Sequence, residues 1–183
     1  MSNSIAVLLG RFVLFSTLLG LVNGCATTPM IYESYTKEEG EISLSGFGLL
    51  VHFNPVGQRH ESCEIGEKCW IFGSPYDVYF QVYSPLEHDQ EICFEHVEFR
   101  LEQEVLYASS LDYCTQFRFS KDKGDYRAYE RLPEVDLGFY EGRQVTVLLR
   151  TRFNGQPIEH QVVVKASKVG ESSSDLLRYI YSI

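Results

Sequence analysis

Val145-Thr146-Val147-Leu148-Leu149-Arg150-Thr151-Arg152-Phe153-Asn154-Gly155 reads as a β-strand and the turn that ends it. Val145, Val147 and Leu149 recur every second residue, the period of a strand with one face against a core. Asn154-Gly155 tolerates positive φ at both positions and so marks a hairpin, although Gln156 and Pro157 point to a loop longer than two residues. Val162 and Val164 carry the returning strand. Upstream, Val135, Leu137 and Phe139 alternate as a further strand up to a Glu141-Gly142 turn.

The same period runs through the middle of the chain. Phe47, Leu49, Val51 and Phe53 share one face, as do Val78, Phe80 and Val82, and then Val97, Phe99 and Leu101. Short alternating runs separated by turn residues predict an all-β fold, an antiparallel immunoglobulin-like or transthyretin-like β-sandwich of seven or eight strands. Ser172 to Ile183 fits a strand through Leu177, Tyr179 and Tyr181, or a helix through Leu176, Ile180 and Ile183 capped by Ser174 or Asp175; a short helix packed on the sandwich is the expectation. Residues 25–41 are polar and turn-prone and read as a tether, leaving 42–183 as one domain.

The amino terminus has its own character. Phe12 to Val22 is an apolar run long enough for a signal-peptide core but short of the roughly 20 residues that span a bilayer. It ends in Val22-Asn23-Gly24-Cys25, which resembles the lipobox of bacterial lipoproteins. That resemblance implies a signal peptide of residues 1–24, a diacylglycerol on the Cys25 thiol, cleavage in front of it and further acylation of the freed amine. Cleavage after Ala26 and an uncleaved anchor are the alternatives, and all three place the domain outside the cytoplasm. Since Ala26 is not Asp, the sorting rule of Gram-negative lipoproteins favours the outer membrane for a chain from such a source.

The chain carries 16 Lys and Arg against 25 Asp and Glu, a net charge of −9. Removing residues 1–24 deepens this by one. A phosphate-backbone binder needs a cationic stripe, so nucleic acid is excluded as a partner. The same balance disfavours adhesion to anionic lipid, which leaves the acyl group as the membrane determinant. Four cysteines follow Cys25, an even count that in an oxidising compartment predicts two disulfides. The shortest loops pair Cys63 with Cys69 and Cys93 with Cys114. Alternation opposes the second pair, because Cys93 falls in phase with Val97 and Phe99 whereas Cys114 alternates with Gln116 and Arg118; a bulge or a strand starting after Cys93 would reconcile them, and otherwise the pairing is wrong. The spacings do not match zinc ribbons or fingers.

Glu87, Asp89, Glu91, Glu95, Glu98, Glu102 and Glu104 crowd together without the Gly that a calcium loop uses, and read as a solvated acidic face or, together with Tyr79, Gln81 and Tyr83, as a surface for a basic partner. His88 and His96 flank Cys93 without a metal-binding spacing, and no G-x-S-x-G elbow is present. Trp70, Phe72, Tyr76, Tyr79, Phe80 and Tyr83 form the densest aromatic run. Phe80 aligns with the core residues, whereas Tyr79, Gln81 and Tyr83 fall on the other face and are the candidate partner surface. The expected function is a lipid-anchored envelope module that binds or braces a protein partner, without cofactor or metal. An envelope hydrolase acting on glycan or wall, and a solute- or metal-binding lipoprotein, are the alternatives.

Overall fold

The computed structural model describes residues 30–37, 46–62 and 68–170, which contain nine strands and no helix. The strands are β1 (Met30–Lys37), β2 (Gly48–Ser62), β3 (Lys68–Ser84), β4 (Glu91–Leu101), β5 (Glu104–Gln116), β6 (Arg118–Ser120), β7 (Asp125–Val135), β8 (Gln144–Phe153) and β9 (Gln156–Gly170). They join in the order β5-β4-β8-β9-β1-β3-β7-β6, with β2 added to β3. The pairings are antiparallel except for a three-residue parallel contact of β1 with β3, so the sheet is mixed rather than wholly antiparallel.

The sheet curls into a half-barrel. Leu49, Val51 and Phe53 of β2, Val78, Phe80 and Val82 of β3, Val97 and Phe99 of β4, and Val145, Val147 and Leu149 of β8 are buried in one core. Phe99 lies 6.0 Å from Phe53 and 6.3 Å from Phe80, although β4 is bonded to neither β2 nor β3. The inner faces of the two halves therefore pack on each other, and each such ring contributes about 1.5–3 kcal/mol by leaving water.

Met30 to Lys37, expected to be tether, form β1 and sit inside the sheet between β9 and β3. Glu33 interrupts the apolar period and hides the strand in the sequence. Tyr35 nevertheless reaches the core, with its ring 5.1 Å from Phe53 and 5.5 Å from Tyr76. Its hydroxyl donates to the Gly138 carbonyl at 3.2 Å.

A register shift between Phe94 and His96, in both pairings of β4, answers the conflict at Cys93. Glu95 is the extra residue. Ile92 and Phe94 before it and Val97 and Phe99 after it all point into the core, so Cys93 faces outward opposite Cys114. The disulfide Cys93–Cys114 is present, with Cα atoms 3.9 Å apart. Cys69 is buried and also disulfide-bonded, while Cys63, its expected partner, lies outside the described residues.

Two turn expectations are corrected. Phe153 pairs directly with Gln156, and Asn154 and Gly155 have φ of 52° and 74°, so the loop is two residues long. Pro157 is accommodated because β1 covers β9 only from Val164 onward. The strand through Val135, Leu137 and Phe139 ends at Val135, and Leu137 is buried from an irregular segment. The expected helix of residues 172–183 lies outside the described residues, as do residues 1–29 with Cys25.

Candidate interaction surface

Because the inner positions of β3 fill the core, Asp77, Tyr79, Gln81 and Tyr83 are turned to its outer face. There β7 runs antiparallel beside it and sets Tyr79 opposite Arg131, Gln81 opposite Tyr129 and Tyr83 opposite Arg127. Arginine and tyrosine thus alternate along β7, and each of its two arginines faces a tyrosine of β3.

The face has a rigid floor. Arg127 is buried and donates to Gln81 Oε1 at 2.7 Å and to both carboxylate oxygens of Asp125, at 2.5 and 2.8 Å. Its guanidinium also lies 5.8 Å from the centre of the Tyr83 ring. Hydrogen bonding to Asp125 raises the Arg127 pKa further, outweighing the cost of burial. At the other end Arg131 donates to Asp77 Oδ2 at 2.6 Å and stands 5.8 Å from the centre of the Tyr79 ring. Asp77 Oδ1 accepts the backbone N–H of Glu134 at 3.2 Å, where β7 bulges and Glu134 adopts a φ of 53°. The buried carboxylate of Asp77 therefore holds both an arginine and a bulge.

On the β2 side, Tyr83 lies over Gly48 and Tyr79 opposes His52. Burial lowers the His52 pKa, and the charges of Arg127 and Lys123 lower it further. The imidazole is thus neutral beside a pinned arginine.

Of the three expected surface residues, Tyr79 is 38 % exposed, Gln81 is 9 % exposed and Tyr83 is half-buried. Gln81 and Tyr83 support the face from below. Tyr129, 50 % exposed, and Arg131 complete it. The stretch Asp125-Tyr126-Arg127-Ala128-Tyr129-Glu130-Arg131 has no apolar period that would have singled them out.

The acidic run, expected to join this face, lies mostly elsewhere, although Glu87 meets Tyr126 of β7. Glu95 and Glu98 belong to β4, whose outer face points away from that of β3 across the core. Three of its acids are neutralised by arginine, as Glu95 with Arg152, Glu98 with Arg100, and Glu102 with Arg143 at 2.6 Å. Arg152 stands opposite Cys93, so the Glu95 pair lies beside the Cys93–Cys114 bridge, whereas Glu102 lies past the other end of β4.

The histidines have structural surroundings. His88 shares a hydrogen bond with Ser84 Oγ at 2.8 Å and packs within 5.1 Å of Phe47, Phe117 and Phe153. Ser84 also accepts the N–H of Leu86, so the pair shapes the turn after β3. His160 is buried with Nε2 3.0 Å from Thr151 Oγ1, and burial lowers its pKa to about 4. Among the described residues no group of three or more His, Cys, Asp or Glu side chains is placed to hold a metal ion, and no helix is long and apolar enough to cross a membrane.

Comparison with protein-family models, with curated proteins and with solved structures gives no match for this chain.

Proposed function

We propose that the chain is a lipid-anchored cell-envelope module whose half-barrel docks a protein partner on the outer face of β3 and β7. The observation that carries this reading is Tyr79 and Tyr129, exposed at diagonal positions of β3 and β7 beside the carboxylate-fixed arginines Arg127 and Arg131. Rigid aromatic rings flanked by pre-ordered guanidinium groups offer contact area at little cost in conformational entropy. The packing of the two inner faces supports a sandwich of the immunoglobulin-like or transthyretin-like kind. Val22-Asn23-Gly24-Cys25 supports the anchor, and the outward-facing disulfide fits an oxidising compartment. For a Gram-negative source the outer membrane is the favoured site.

A photo-crosslinking amino acid in place of Tyr129, in the full chain in its own envelope, tests the surface. A discrete protein adduct that disappears with Tyr79→Ala supports it, and the absence of adduct from a stable, correctly located variant overturns it. The anchor is tested separately by Cys25→Ser, which should abolish acyl labelling and release the chain from the membrane fraction.

A further inference from the structure

β1 begins at Met30, five residues after Cys25. Fully extended, that segment spans no more than about 18 Å. Whatever holds Cys25 therefore holds this end of the sheet close by.

The two faces of that end differ in chemistry. In the register of β1 with β3, Met30 stands beside Trp70 and Tyr32 beside Phe72. On the far sides Val169 of β9 adjoins Tyr32, and His60 and Gln58 of β2 adjoin Trp70 and Phe72. The Tyr32 and Phe72 rings stack at 5.0 Å, and the His60 ring packs on Trp70. Met30, Tyr32, Trp70, Phe72 and Val169 are all half-buried. Among the described residues no Asp, Glu or Arg lies on this face; Lys68 stands at its margin and Lys165 further along β9. The ionic groups of this end are on the inner face, each with a partner. Arg59 donates to Glu33 at 2.7 Å and Glu61 at 2.6 Å, and Lys168 pairs with Glu141 at 3.0 Å. Gly73 makes room for this, since a Cβ there would lie 2.6 Å from Glu33 Oε2.

We propose that the outer face formed by Met30, Tyr32, Trp70, Phe72 and Val169 lies against the lipid surface in which Cys25 is anchored. The inference rests on the lipoprotein reading. Tyr and Trp side chains settle at the membrane–water boundary, where the ring is in the apolar layer and the polar edge is wet. Lys68 can extend its stem along that layer and keep its ammonium in water. Because the chain's net charge is −9, aromatic contact rather than attraction to anionic headgroups holds the face down. Tyr79 lies roughly 30 Å along β3 from Trp70, so the membrane contact and the partner surface occupy opposite ends of the strand.

Trp70 is the only tryptophan, so its fluorescence reports on this face alone. The full-length protein would be purified from membranes, the Cys25 peptide weighed to establish acylation, and the protein reconstituted into phosphatidylcholine vesicles with or without acyl-brominated phosphatidylcholine. The expected result is an acylated peptide and about a twofold loss of Trp70 emission in brominated vesicles. In Trp70→Phe combined with Tyr129→Trp the reporter moves to β7 and should keep its emission. An unmodified Cys25 overturns the anchor and this inference together. An acylated protein whose Trp70 is not quenched, or one in which the relocated reporter on β7 is quenched equally, overturns the membrane contact and leaves the anchor standing.

Discussion

The ring of Tyr83 lies across Gly48, its cross-strand partner, so closely that a Cβ on Gly48 would come within 2.0 Å of the ring's Cζ. Gly48 is required here for space. Its absent side chain lets the ring lie flat on β2 beneath the Arg127 guanidinium.

Gly48→Ala should therefore lift Tyr83 from its seat and destabilise the fold by about 1–3 kcal/mol, as overpacking does. The same substitution in a Tyr83→Ala background should cost far less. Urea midpoints of the two single variants and the double variant measure the coupling, and additive losses would contradict the close packing.

The Cys93–Cys114 bridge ties edge strand β5 to β4. Replacing both cysteines with serine should lower stability by about 2–4 kcal/mol, since a 21-residue separation is closed in the unfolded chain. Alkylation under native, oxidising conditions should leave both residues unlabelled. Modification of either one would argue against the bridge.

His160 gives the fold a pH dependence of defined sign. Its folded pKa is lowered from 6.5 to about 4, so the unfolded chain binds the proton first. The stability conferred by the neutral ring is complete above about pH 6.5 and is lost as pH falls towards 4, at up to roughly 1.4 kcal/mol per pH unit. His52, also lowered by burial, acts in the same direction. Denaturation midpoints between pH 4 and 7 should therefore rise with pH, and His160→Leu should flatten the slope without abolishing it. An unchanged slope would show that burial does not lower the His160 pKa in the fold.

Strands with one wholly apolar face were legible in the sequence. Phe47 to Phe53, Val78 to Val82 and Val145 to Leu149 are buried as their alternation implies. What escaped was structure fixed by other forces. β1 carries a buried Glu33 whose partner, Arg59, comes from another strand, so no local pattern reveals it. β5 is an edge strand with most of its residues exposed, and its composition follows solvent. The Glu95 bulge shifts a phase that alternation takes as constant. At the candidate surface, Tyr79 followed from position alone. Tyr129 and Arg131 required knowing that β7 lies beside β3, a long-range fact that periodicity does not contain.

The pairing of β1 with β9 also fixes when the sheet can be finished. Ile31 meets Gly170, and Tyr35 meets Ala166, so the first of the described strands waits for the last of them. Contacts so distant along the chain form late and slowly. A chain threaded through a membrane from its amino terminus would remain open along that seam until nearly all of it had crossed, and the half-barrel would close only on the far side.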